Sequence, residues 1–321
     1  MRIRILYHDR CFDGAASAAL LGRFLQEYYY PEAEFVFRGV LHRPGFQWAS
    51  GDLDGDENAI VDFRYCPDPR LGWWFDHHLS AFLSKADEDQ FRRNPSRRKV
   101  LDVTRSSCAG LIDSYLRRDF QYSAEGLQEL IHWADIIDGA KYPTPEAALD
   151  LNSPVARLRI VIENAEDEQV RQDLVRKLRY RSIGEVLEDP AIRRLQRQCA
   201  DEMRAGLEFL IRKLERRGQV VFLDLRSRPG ARVNKFLPYC VFRDAGYALT
   251  VLSTGEWFKI SLGRNPWARR ENAVNLAEVA EAYGGGGHSA VAGIGIPAGE
   301  DGLLEKTVNE LIVRLNANGP A

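Results

Sequence analysis

The sequence predicts an α/β fold: a doubly wound, mainly parallel sheet domain with a helical cap, followed by a smaller C-terminal α/β domain joined to it by a long helix. Three observations predict it. In the first half of the chain, short β-rich runs alternate with helical patterns, the signature of a parallel sheet. From Asp189 to Gly218 apolar residues recur every three or four positions, as in one amphipathic helix. Beyond Gly218, strand-like and helical runs alternate again around the glycine run Gly284 to Gly287. At 321 residues the chain is long enough for two domains with separate cores, and these patterns place them at 1–188 and 219–321 with the connector at 189–218.

Taken in order, Ile3 to Tyr7 reads as a strand, Ala15 to Tyr29 as a helix, and Phe35 to Val40, Ala59 to Phe63 and Trp73 to Phe75 as further strands. From Ala124 the chain reads as helical, with Leu127, Leu130, Ile131 and Ala134 on one stripe that closes at Asp138-Gly139. Asp189-Pro190 supplies a helix cap and a first-turn proline for the connector. The second domain reads as a strand at 220–225, a helix near 235–244, strands at 248–253 and 258–262, a helix at 276–283 and a last helix at 302–315.

Composition excludes several classes. A chain that is 45% hydrophobic and 28% charged is neither disordered nor collagenous. Cys11, Cys66, Cys108, Cys199 and Cys240 are odd in number and form no C-x-x-C pair, so neither a disulfide framework nor a zinc ribbon is indicated. Reduced thiols, a short apolar run at the N-terminus and no stretch long enough to span a membrane give a cytoplasmic protein as the expectation. The net charge of −2 hides arginine clusters at 92–99 and 212–217, read as solvated faces, and a third at Arg264 with Arg269-Arg270 beside the glycine run.

Polar residues follow the strands of the first half, where parallel sheets gather their ligands: His8 to Asp13, then Asp62, then Asp76-His77-His78. An Asp-His-His triplet alone is weak evidence, because adjacent side chains on a strand point to opposite faces. At a strand end the backbone turns and neighbours can face one pocket. Histidine with carboxylate suits manganese and related divalent ions, and Asp62 in Ile60-Val61-Asp62-Phe63 adds the charge that holds them. The simpler reading of Asp62 is a turn aspartate satisfied by backbone amides.

Read together, His8, Asp13-Gly14, Asp62, Asp76-His77-His78 and Asp138-Gly139 resemble, in order and spacing, the DHH phosphoesterase superfamily, which includes RecJ-like exonucleases and oligoribonucleases. The resemblance implies metal ligation by His8, Asp13, Asp62, His77 and Asp138, contact of His78 with the scissile phosphate, and orientation of the histidines by Asp76. Two positions depart from the pattern. Cys11 stands where the family usually carries the first of two aspartates. The last motif offers Asp135 as well as Asp138, of which Asp138, closing the helix before a small residue, matches better. Cys11 leaves four alternatives open: a softer metal with the thiolate as ligand, one firmly held ion, binding without catalysis, or a packing role with Asp9 supplying the charge.

The second signal is Tyr283 to Gly293, with Gly284, Gly285, Gly286 and Gly287 followed by His288. A linker would hardly be flanked by a strand-like run and an amphipathic helix, and glycines let backbone amides approach an anion. Together with Lys259 to Arg264, this stretch resembles the DHH-associated C-terminal domain. The resemblance implies that Arg264 holds a phosphate or carboxylate-like group and that His288 contacts base, sugar or phosphate.

The expected function is metal-dependent hydrolysis of a nucleotide phosphoester, with one or two divalent ions, Mn2+ foremost and Mg2+ or a softer metal as alternatives, supplying nucleophile and charge neutralisation. The expected substrate is a nucleoside bisphosphate, a dinucleotide or a short single-stranded oligonucleotide. A catalytically weakened nucleotide- or RNA-binding protein of the same fold is the alternative. A manganese pyrophosphatase would lack the glycine-histidine run, and a tRNA-associated module would have no need of Asp62 and Asp76-His77-His78. Oligomeric state cannot be read from the sequence.

Overall fold

A computed structural model describes residues 1–43, 45–268 and 273–317; Arg269-Arg270 of the third arginine cluster lie outside them. The chain divides into two compact units, one of residues 1–42, 46–141 and 151–200 and the other of 43–45, 142–150 and 201–321.

In the first unit, β1 (Arg2–His8) leads into α1 (Phe12–Tyr28) and back to β2 (Glu34–Val40), followed by β3 (Glu57–Val61) and β4 (Leu71–Asp76). Then come α2 (Lys85–Arg93), β5 (Lys99–Leu101), α3 (Cys108–Phe120) and α4 (Gln128–Asp138). The five strands form one wholly parallel sheet in the order β2-β1-β3-β4-β5. Its central strands are apolar runs because they are covered on both faces: Ile3, Ile5, Leu6, Ala59, Ile60, Val61, Trp73, Trp74 and Phe75 are all fully buried. Around Trp74 lies a cluster of Phe46, Leu53, Phe63, Tyr65 and Leu71. The three-residue β5 was not visible in the sequence. It falls within the first arginine cluster, where Arg98 lies over the Trp73 ring at 4.8 Å with its side chain still partly exposed.

The helices that follow are α5 (Pro145–Ala148), α6 (Pro154–Asn164), α7 (Glu168–Leu178), α8 (Ile183–Leu187) and the long α9 (Pro190–Lys213). Three of them start at serine or threonine N-caps, at Thr144, Ser153 and Ser182, whose side chains accept a bond from the first-turn amides. Helix α9 ends at Lys213 instead of running to Gly218. The charged triplet Glu215-Arg216-Arg217 forms an edge strand, β6 (Glu215–Arg217), on which Arg217 covers the Phe222 ring at 4.2 Å.

The second unit continues with β7 (Val220–Leu225), α10 (Leu237–Val241), β8 (Tyr247–Ser253), β9 (Trp257–Arg264), α11 (Leu276–Glu281), β10 (Gly286–Gly287), β11 (Val291–Pro297) and α12 (Asp301–Asn316). Its mixed sheet has the order β10-β11-β9-β8-β7-β6. Ala292, Ile294 and Ile296 of β11 face inward and join Leu249, Ile260, Leu276 and Leu311 in the core. Segment 142–150 belongs to this unit: the Tyr142 carbonyl accepts from Trp267 Nε1 at 2.9 Å, the Ala148 carbonyl from Asn234 Nδ2 at 2.8 Å, and Glu146 pairs with Arg243. No helix among the described residues is long and apolar enough to cross a membrane.

Candidate metal centre

Strand β1 ends at His8, β3 stops one residue before Asp62, and β4 ends at Asp76. These strands are neighbours, so the parallel sheet delivers the three residues side by side at its carboxyl edge. Asp13 comes from the first turn of α1. That helix can start so close to β1 only because position 14 is glycine: a Cβ there would stand 2.2 Å from the His8 carbonyl oxygen. Asp138 is the last residue of α4. Asp62 itself has a left-handed backbone (φ 55°), a conformation disfavoured for a residue with a Cβ and concentrated at functional sites.

His77 stands at the centre. Its Nε2 lies 3.3 Å from Asp13 Oδ2, 3.4 Å from Asp62 Oδ1 and 3.5 Å from Asp138 Oδ2. Its Nδ1 is 3.2 Å from the Arg105 carbonyl. Donation from Nδ1 to that carbonyl turns the Nε2 lone pair towards three carboxylates, an arrangement that repels unless a proton or a metal cation stands between them. Burial opposes a charged imidazole, but Asp13, Asp62 and Asp138 override it and push His77 up to about 12. Burial would likewise raise Asp62, yet His77 and His8 hold it well below the usual carboxylate range, whereas burial and the Asp62 charge push Asp13 up. The local field calls for positive charge.

Asp76 bonds to both of the histidines that follow it. Its Oδ1 accepts from the His77 amide at 2.8 Å and the His78 amide at 3.2 Å, and lies 2.7 Å from His78 Nδ1. That contact fixes the His78 ring direction and leaves its Nε2 as the outward atom.

The donor set fits a divalent cation on its own geometry. Both Asp62 oxygens are buried and meet no donor in hydrogen-bonding geometry, a costly state for a carboxylate unless a cation compensates it. Asp13, Asp62 and His77 present ligand atoms within 4.8 Å of one another, and so do His8, Cys11 and Asp62. Asp62 is common to both groups and to a third with Asp76 and His78; the first offers oxygen and nitrogen donors and the second adds sulfur.

Asp9 is not a substitute for the missing acid. Its carboxylate pairs with Arg171 Nε at 2.8 Å, accepts from the Arg10 amide at 3.0 Å, and packs where a Cβ on Gly39 would otherwise sit. Asp135 also turns away and accepts from Ser107 Oγ at 2.6 Å. The Cys11 thiol is pushed well above its ordinary value by burial and by Asp62, Asp138 and Asp13, so it stays neutral unless a cation draws the proton off.

Sequence reasoning missed three contributors. The Cys108 and Ala109 amides at the start of α3 donate to Asp13 at 2.7 and 2.9 Å, anchoring it on a helix N-terminus. The cap residue Ser107 before an apolar run was the available signal. His42, just after β2, stacks on Phe63 with centroids 4.2 Å apart and lies 4.8 Å from the His8 ring. Arg64, two residues after Asp62, is the third.

In the second unit part of the glycine-histidine run is bonded within the fold. The Gly284 amide donates to the Glu281 carbonyl, Gly285 to Ala280 and His288 to Val291, so these three amides close the end of α11 and a tight turn and are not an open anion nest. At Gly287 (φ 146°) a Cβ would stand 2.4 Å from the Val291 carbonyl oxygen. The Arg264 amide donates to the Ala290 carbonyl at 2.8 Å, two residues beyond His288 in the chain. The Arg264 side chain makes no hydrogen bond or ion pair among the described residues.

No protein-family model matches the chain, and no curated protein matches it by sequence. Solved structures do. A pGpG-specific phosphodiesterase, PggH from Vibrio cholerae, superposes with a TM-score of 0.61 at 18% identity, covering 99% of this chain and 100% of that one. RecJ from Thermus thermophilus in complex with Mn2+ gives 0.59 at 15% identity, covering 98% of this chain and 52% of that one. The DHH domain of a protein described as a member of a family of ribosomal proteins gives 0.59 at 14% identity, covering 97% of this chain and 87% of that one. Taken with the parallel five-stranded sheet and the separate mixed sheet, these likenesses show that the chain has the two-domain fold of the DHH-type proteins.

Proposed function

We propose that the protein is a metal-dependent phosphoesterase that hydrolyses a nucleotide phosphoester in a dinucleotide, a short oligonucleotide or a nucleoside bisphosphate. The observation that carries this reading is the His77 ring facing Asp13, Asp62 and Asp138, next to Asp62 oxygens that meet no donor. His8, Asp13, Asp62, His77 and Asp138 would hold one or two divalent ions, Mn2+ or Mg2+, and Cys11 would join His8 and Asp62 at the softer position. A bound ion supplies a nucleophile at neutral pH and offsets the charge that grows on the phosphoryl oxygens. Asp76 fixes the His78 ring so that Nε2 donates to a phosphoryl oxygen. Arg264 and His288 would bind nucleotide. The PggH and RecJ folds, named for pGpG and described with Mn2+, agree with this substrate class and metal. The test is a screen of purified protein, with manganese or magnesium added, against pGpG, cyclic dinucleotides, adenosine bisphosphate and RNAs of graded length, with product analysis. No metal-dependent product from any of them sinks the proposal.

If Arg264 and His288 bind ground state and transition state alike, Arg264→Ala and His288→Ala raise KM with little change in kcat, by about ten-fold each for a lost charged or buried hydrogen bond. Steady-state kinetics on the best substrate checks this. A fall in kcat at unchanged KM contradicts it.

Cys11 favours a second reading, binding with weakened catalysis, because a neutral thiol holds manganese poorly. Cys11→Asp is expected to raise both manganese content, read by elemental analysis, and manganese-dependent turnover. Two tightly held manganese ions in the native protein, with no gain on substitution, would make Cys11 irrelevant to the centre.

A further inference from the structure

We propose that Arg64 is a binding residue for the substrate's phosphoryl group, acting from the β3 side of the metal centre; this rests on the phosphoesterase reading above. Three observations lead to it. Arg64 follows Asp62-Phe63 directly, and that segment is held firmly: Phe63 is fully buried, its ring is stacked on His42, and its carbonyl accepts from Trp74 Nε1 at 2.9 Å. The side chain is partly buried, its Nε is shielded from solvent and bonded to nothing, and its guanidinium makes no hydrogen bond or ion pair among the described residues. Finally, the segment that carries it lies against the centre: the Phe63 ring is 6.1 Å from the His8 ring, and His42, stacked on Phe63, is 6.3 Å from the His78 ring.

Two other arginines near the carboxyl edge of this sheet are paired, Arg171 with Asp9 and Arg105 with Asp102. Burying a guanidinium without a partner destabilises a fold, and such a charge persists where an anion completes it. Asp76 forms no ion pair with Arg64: its Oδ1 holds both histidine amides and the His78 ring, and its buried Oδ2 meets no donor among the described residues. A phosphoryl group beside the carboxylate–histidine cluster offers oxygens in the geometry that the planar fork of arginine matches. Arg64 and His78 would then hold different non-bridging oxygens of one group.

The test uses the full chain with magnesium added and inorganic phosphate as the probe, comparing native protein, Arg64→Met and Arg64→Lys. Phosphate is expected to raise the melting temperature of the native protein, to leave that of Arg64→Met unmoved, and to raise that of Arg64→Lys by a smaller amount. In phosphate-free buffer Arg64→Met melts no lower than the native protein, since it removes an uncompensated charge, and its metal content is unchanged. On the best substrate of the screen kcat/KM falls about ten- to a hundred-fold in Arg64→Met. A phosphate response that survives in Arg64→Met, or is missing from the native protein, overturns the inference. So does a clear loss of melting temperature without phosphate in both variants, which would make Arg64 a packing residue. If the native protein responds to phosphate through Arg64 but hydrolyses nothing, the phosphoesterase reading fails and the anion site stands. If it hydrolyses substrate and Arg64→Met does so equally well, the inference alone fails.

Discussion

Replacing Asp62 by Asn lowers turnover roughly a thousand-fold, about 4 kcal/mol of transition-state stabilisation, and leaves the protein folded. The expectation follows from its position. Asp62 faces His8 at 3.3 Å and His77 at 3.4 Å and belongs to the candidate metal groups of both, so one substitution weakens both groups. Were Asp62 only a turn residue, the change would cost about 1 kcal/mol of stability and little activity. Turnover and metal content measured on the same preparation, with circular dichroism to confirm folding, separate the two. Native-like turnover at full metal occupancy would refute the assignment.

The largest expected effect on stability is at Trp74. Trp74→Ala removes a fully buried indole that packs edge-to-face on Tyr65 and Phe91, and it leaves the Phe63 carbonyl without its donor. Substitutions of this kind cost about 3–5 kcal/mol. Because the lost hydrogen bond anchors the residue after Asp62, turnover should fall at temperatures where the sheet is still folded. Denaturant unfolding followed by near-ultraviolet circular dichroism reads the first effect and kinetics at low temperature the second. A loss below about 1 kcal/mol, the range of surface changes, would show that the cluster repacks around the gap.

What the sequence made legible and what it hid follow from how each element is stabilised. Strands β1, β3 and β4 are buried on both faces, so each reads as an apolar run ended by a polar residue, and those polar residues are His8, Asp62 and Asp76. Their convergence could be inferred because a parallel sheet places all its carboxyl ends on one edge. Strands β5, β6 and β10 are two or three residues long and held by pairing alone, which leaves no periodic trace. Strand β11 does alternate, with Ala292, Ile294 and Ile296 inward, but Gly293 and Gly295 on the other face made it look like the tail of the glycine run. Close backbone contacts require glycine at 285 and 287, and composition alone does not separate such a packing glycine from one that opens amides to an anion. Asp138 closes α4 with Oδ2 3.5 Å from His77 Nε2, whereas Asp135 bonds to Ser107, a contact made across a long sequence separation. Arg64 and His42 carry no motif; only the fold shows that one makes no hydrogen bond or ion pair among the described residues and that the other lies against His8.

The stitching of residues 142–150 into the second unit bears on how the protein is made. During synthesis this segment leaves the ribosome well before Asn234, Arg243 and Trp267, the residues that bond to Ala148, Glu146 and Tyr142. Domains generally fold as units in the order they emerge, and an unfinished one exposes apolar surface to its neighbours. The nascent first unit must therefore carry an unanchored loop, with Leu149 exposed until the Leu223 and Leu237 cluster forms around it. A chain stopped after residue 188 would keep that loop permanently, and its solubility, more than its catalytic residues, would decide whether the amino-terminal half can be studied alone.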